Sequence, residues 1–275
     1  MSVKGAALYA ASARRVLVAR RVHGFGERLR PHEERLVFVC GSPRSGTTFL
    51  AGAIGAMPGF VDLTEVTPHK AAIPGLTKLP EKQAAREIRS VLERVRWLAL
   101  VPGWRGVEQT PETAFVLPAA LRAYPKARGV HALRDGRDVV CSLLERGWLS
   151  AGRAGGDDAK AAYGKTARFW VEPDRLEEFE TASDATRAAW AWRRYVTAAR
   201  SGGGERTLEV RYESIAESSE AIAAHLDADP APLTVALERF HDRSIGRYQR
   251  DLSPEQLADV KREAGPLLAE LGYDQ

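Results

Sequence analysis

Residues 36–50 read LVFVCGSPRSGTTFL, and their reading decides the fold. An unbroken apolar run, Leu36 to Cys40, enters a turn bounded by Gly41 and Gly46, and a helix is expected over 48–57. A strand, a tight turn and a helix N-terminus in that order make an anion cradle, because the turn amides and the positive end of the helix point to one place. Four residues separate the glycines, as in the G-x-x-x-x-G-K-[ST] phosphate-binding loop. The lysine position is Thr47, however, and the loop's one cation is Arg44. That lysine contacts the β/γ-phosphates in ATPases and GTPases. A loop without it suits a nucleotide whose 5′ end is not a triphosphate, held by Arg44 and the amides of Ser45, Gly46, Thr47 and Thr48.

Outward from this stretch, strands and helices alternate. Strands are expected at 59–63, 106–109, 128–133 and 207–212, and helices over 81–100, 112–123, from 139, 185–200, 214–228, 232–240 and from Pro254, capped by Ser253. Such alternation predicts a parallel α/β sheet with helices on both faces. Residues 64–80, with Pro68, Pro74 and Pro80, read as a loop, and glycine-rich 149–183 as a variable loop or lid. Residues 1–33 read as a helical arm ending near Pro31, and 34–275 as a single domain.

Over 275 residues, 44% hydrophobic and 28% charged content describes a globular chain able to bury a sizeable core. A net charge of +4 without a Lys/Arg cluster interleaved with aromatics favours small anionic ligands over nucleic acid. Cys40 and Cys141 have no metal spacing and read as small buried thiols. The start, MSVKGAALYAASARR, imitates a signal peptide faintly, but its apolar run is short and reads as an ordinary helix, so the chain is expected in the cytoplasm. Its arginines (14, 15, 20, 21, 28 and 30) leave a peripheral membrane contact open, and the arm leaves packing on a second copy open.

PRSGTT resembles the 5′-phosphosulfate loop of sulfotransferases that use 3′-phosphoadenosine 5′-phosphosulfate (PAPS). RDGRDVVCSLLER, residues 134–146, looks like the segment of that family that binds the 3′-phosphate. The resemblance implies 3′-phosphate contacts from Arg134, Ser142 and Arg146, a requirement that a guanidinium fork and a hydroxyl meet chemically. Val210-Arg211-Tyr212-Glu213 is similar to the family's RYE motif, which implies Tyr212 near the adenine. SIGRYQRDL, from Ser244, resembles the segment that folds over the nucleotide, with Ser244 and Arg247 as further contacts. The four pieces run from residue 36 to 252. They imply PAPS as donor, PAP as product and no metal.

Transfer needs a base for the acceptor hydroxyl and cations for the developing charge. The cytosolic K-T-H segment is replaced here by Glu108-Gln109-Thr110-Pro111, so the pattern is closer to the bacterial and protein-tyrosine branch, whose glutamate lies some twenty residues past the loop. That implies Glu65 as base, with Arg44 stabilising the transferring group, and His69 as a weak second candidate. Gln109 departs from the branch, which keeps a lysine there. Either another cation, Arg44 or a loop residue such as Lys70, supplies the missing charge, or Gln109 donates a neutral hydrogen bond at reduced rate, or the protein binds without efficient turnover. A P-loop kinase or NTPase and a non-catalytic nucleotide-binding protein therefore stay open beside a sulfotransferase acting on a carbohydrate, glycolipid or secondary-metabolite hydroxyl.

Overall fold

A computed structural model describes residues 3–24, 36–150 and 168–273. Five strands form one parallel sheet in the order β2-β3-β1-β4-β5: β1 (Leu36–Gly41), β2 (Phe60–Thr64), β3 (Arg105–Glu108), β4 (Arg128–Leu133) and β5 (Thr207–Arg211). Alternation along β1 feeds two cores. Leu36, Phe38 and Cys40 pack on one face, while Val37 and Val39 pack on the other. Burial on both faces is why the stretch reads as continuous rather than alternating hydrophobicity.

Twelve helices are described. Against the first face lie α1 (Val3–Ala19), α3 (Thr67–Leu76), α4 (Glu81–Leu98), α5 (Leu117–Ala123), α6 (Gly136–Arg146), α8 (Asp184–Gly203) and α12 (Pro254–Glu270). Against the second lie α2 (Thr47–Gly55), α9 (Ser219–His225) and α10 (Pro230–Leu237). Short helices α7 (Leu176–Thr181) and α11 (Tyr248–Asp251) complete the set. Ser253 caps α12 in a full capping box with Gln256, as its sequence predicts.

Two expectations need correction. Residues 64–80 are not a loop throughout, because Thr67–Leu76 is helical. Pro68 sits in the first turn, where a missing N–H costs nothing, and Pro74 is accommodated inside the helix. The 149–183 stretch contains α7, whose Phe179 is fully buried; residues 151–167 lie outside the described residues, as does the end of the predicted arm near Pro31.

β1 is the strand at which the chain order reverses, with β3 on one side and β4 on the other. In an open parallel sheet, ligands bind beyond the C-terminal ends of the strands at that switch point. Arg44, Glu65, Gln109, Arg134 and Tyr212 each follow the C-terminal end of a different strand. The sheet thus gathers at one edge residues that are far apart in the chain.

Candidate active site

The loop after β1 turns back through two left-handed residues, Arg44 at φ 72° and Gly46 at φ 87°. The second conformation needs glycine on two counts. It is disfavoured for an L side chain, and a Cβ there would lie 2.7 Å from the Tyr212 ring. The loop opens onto a cleft of about 390 Å³ whose walls include Arg44, Thr48, Arg134, Ser142, Tyr212 and Arg247. Both arginine-bearing turns meet there. Arg134 Nη1 donates to the Arg44 carbonyl at 3.0 Å, and Arg44 Nε donates to Ser142 Oγ at 2.9 Å.

Arg134 is buried, 5% exposed, and locked from several sides. Its carbonyl accepts from Trp192 Nε1 at 3.0 Å, its Nη2 donates to the Ser244 carbonyl at 2.6 Å, and its guanidinium lies 4.3 Å from the Tyr212 ring centre. Gly136, two residues on, lets the Trp192 ring come this close, since a Cβ would sit 2.7 Å from it. The rest of the RDGRD cluster is scaffold. Asp135 caps α6 and pairs with Arg137 at 2.7 Å, while Asp138 accepts from the amides of Gly246 (2.8 Å) and Tyr248 (3.0 Å). Burial pushes the Asp138 carboxyl above its ordinary pKa, partly offset by those amides. The segment from Ser244 is thereby fastened over the cleft, and Tyr212 Oη with Ser244 Oγ, 3.0 Å apart, closes the ring of contacts. Glu213 braces from behind, accepting from the Asp135 amide and Tyr273 Oη.

Other sequence-predicted residues are placed differently. Ser45 is 1% exposed, and its hydroxyl has no partner among the described residues. Arg146 is exposed and lies over Trp148, 5.9 Å from the ring centre, outside the cleft lining. Arg247 does line the cleft but is engaged by Glu145 and Asp251, which hold its pKa well above the ordinary arginine value.

Glu65 stands two strands from the loop, at the end of β2, with Gln109 on the intervening strand end. Its carboxylate bonds Lys70 Nζ at 3.0 Å, and Lys70, 4% exposed, also lies 3.7 Å from Glu112. Thr64, just before it, is held at φ 59°, an unusual conformation for a β-branched residue. Three attachments hold this turn. Arg15 of α1 donates to the Glu65 carbonyl (2.8 Å) and to Thr67 Oγ1 (2.7 Å); Asp62 accepts from the Thr64 amide (2.7 Å); and Glu108 accepts from the Val66 amide (3.4 Å). Glu108 also accepts from Thr110 and Thr113, but complete burial dominates and raises its pKa to about 7. His69 is no surface residue: it is fully buried against Thr113, its pKa is lowered to about 4, and it stays neutral. It is not placed to act as a solvent-linked second base. Gln109, 4% exposed, leaves Oε1 without a partner among the described residues.

The profile of a sulfotransferase family matches residues 37–227, which contain the loop, the Arg134 turn and the RYE motif. The chain belongs to the sulfotransferase family. Membership supports sulfotransferase activity in the broad sense. Solved structures share the fold: a sulfotransferase domain from the curacin biosynthetic pathway (13% identity, 88% of this chain and 99% of that one, TM-score 0.53), sulfotransferase STF9 from Mycobacterium avium (16%, 95% and 83%, 0.50) and sulfotransferase STF1 from Mycobacterium tuberculosis H37Rv (16%, 97% and 87%, 0.50). A search of curated proteins finds no match.

In this sulfotransferase, sequence reading missed the aromatic wall of the cleft. Phe240 packs edge-on against Tyr212, centroids 4.8 Å apart, and lies 5.6 Å from Phe49. Phe49 and Phe240 come from α2 and from the end of α10's connection, and no local pattern links them. Arg15 was missed as well, for the signal that places it is the strained Thr64 turn, visible only in three dimensions.

Proposed function

We propose that this sulfotransferase moves a sulfuryl group from PAPS to an acceptor hydroxyl and releases PAP. One observation carries the reading: a single cleft receives Arg44 and Arg134 from adjacent strand ends. The cleft chemistry fits a nucleoside with phosphate at both ends. Arg44, the amides of 45–48 and the unpartnered Ser45 hydroxyl suit the 5′-phosphosulfate. Arg134, whose Nε is buried without a partner among the described residues, suits the 3′-phosphate together with Ser142 and Ser244. Phe49, Tyr212 and Phe240 offer the base an aromatic wall.

In the reaction the acceptor oxygen bonds to sulfur as the bond from sulfur to the 5′-phosphate oxygen breaks. PAP leaves with that electron pair, and the acceptor proton passes to the Glu65 carboxylate. Lys70, buried beside Glu65, replaces as local cation the lysine that Gln109 displaces. The acceptor is a carbohydrate, glycolipid or secondary-metabolite hydroxyl. Glu65→Ala is expected to abolish transfer from labelled PAPS while PAP affinity, by calorimetry, stays within a few-fold; full activity removes Glu65 from the chemistry. ADP or ATP binding as tightly as PAP would favour a kinase or NTPase. PAP binding without transfer to any acceptor would favour a non-catalytic nucleotide-binding protein.

A further inference from the structure

Of nine large apolar side chains left exposed among the described residues, six come from two neighbouring segments, Leu17, Val18 and Val22 from the N-terminal helix and its extension, and Trp97, Leu98 and Leu100 from the end of α4; Leu17, Trp97 and Leu98 line one groove. Trp97, Leu100 and Val22 are 65%, 65% and 70% exposed, an unusual concentration of exposed apolar side chains in two short stretches. Between α1 and α4 runs an apolar groove of about 750 Å³, kept open by Ala6, Ala10 and Ala13. Its edges are basic. Arg14 and Arg94 line it, Arg20 donates to the Leu100 carbonyl at 3.2 Å, and Arg21 is exposed beside Val22. No acidic residue occurs on α1, and Glu93, the acid in the groove wall, is engaged by Arg96 at 2.5 Å and Tyr124 Oη at 2.8 Å.

We propose that this face is a docking surface for an anionic lipid bilayer. Exposed tryptophan and leucine framed by arginines is the composition that seats in the headgroup region, where the indole and aliphatic groups enter the acyl boundary and guanidinium groups meet lipid phosphate. Charge selects this occupant over a second copy of the chain. A two-fold contact through the patch sets arginines against arginines, and the acid in its lining, Glu93, is already taken up by Arg96 and Tyr124. No helix among the described residues is long and apolar enough to cross a membrane, so the contact is peripheral. The surface is separate from the nucleotide cleft and docks whether or not the chain transfers sulfuryl groups. Consecutive side chains divide α1 between the two regions: Arg14 lines the groove, and Arg15 holds the Glu65 turn.

The test is co-flotation of the full chain with phosphatidylcholine vesicles, with and without about one-third phosphatidylglycerol. Binding is expected to the anionic vesicles and to be lost at about 0.5 M salt. Each of Arg14→Gln and Arg21→Gln should weaken it about five-fold, and Trp97→Ser with Leu100→Ser about ten-fold or more. Absence of binding to anionic vesicles overturns the proposal, as does binding indifferent to salt and to both arginines. A dimer in light scattering that Trp97→Ser dissociates would show that a second copy covers the face instead. The salt series uses the unaltered chain, so the outcome does not depend on any variant folding.

Discussion

Gly46→Ala tests whether the cleft is built as the contacts imply. Gly46 sits at φ 87°, and a methyl group there would lie 2.7 and 2.9 Å from two carbons of the Tyr212 ring. The ring has little room to yield, because its hydroxyl bonds Ser244, Arg134 covers one face at 4.3 Å and Phe240 packs at 4.8 Å. Left-handed backbone costs an L residue about 1–2 kcal/mol, and forcing a methyl into a packed site costs about 1–3 kcal/mol more. The expected loss is therefore about 2–5 kcal/mol by urea unfolding at unchanged m-value. Tyr212→Ala removes the obstruction and leaves the backbone part. In that background Gly46→Ala should cost only about 1–2 kcal/mol, a coupling of about 1–3 kcal/mol between the positions. An equal cost with and without Tyr212, to within about 0.5 kcal/mol, would refute the reasoning, for it would mean the ring and the loop do not touch.

Arg15→Ala, which frees the turn carrying Glu65, should lower sulfuryl transfer by about 10–100-fold while PAP affinity by calorimetry is unchanged; an unchanged rate would show the turn holds itself. Arg134→Lys should weaken PAP binding by about 10–100-fold and leave ADP binding as it was, since only the 3′-phosphate distinguishes them at this residue. His69 and Glu108 predict opposed pH effects. Stability from neutral, buried His69 is lost as pH falls from 6.5 towards about 4, whereas stability from raised-pKa Glu108 is lost as pH rises from 4.5 towards about 7. Their slopes cancel near pH 5–6.5 in the native chain. His69→Gln should uncover the Glu108 slope, a fall on the order of 2 kcal/mol across that range in urea unfolding.

What the sequence made legible was local. The run at 36–50 announces its strand, turn and helix because burial on both faces, the bounding glycines and the lysine-free loop are all encoded within fifteen consecutive residues. The strand at 128–133 and the Ser253 cap are readable for the same reason: each is decided by near neighbours. The helix at Thr67–Leu76 was not readable, because two prolines in ten residues signal a break, and tertiary packing overrides the signal at Pro74. That single misreading hides two side chains. As loop residues His69 and Lys70 would be solvated; on a helix packed among α1, α4 and the 111–116 turn they are buried, one neutral, the other ion-paired.

Burial of Lys70 also bears on the departure at Gln109. An ammonium group taken out of water is stable only beside compensating charge, and Glu65 and Glu112 supply it at 3.0 and 3.7 Å. Gln109 stands beside this group, its backbone amide donating to the Thr64 carbonyl at 3.5 Å, and as a neutral side chain it adds no charge there, with Oε1 left without a partner among the described residues. At this edge the positive charge therefore sits on Lys70 of a helix and not on the strand end, directly beside the carboxylate proposed as base.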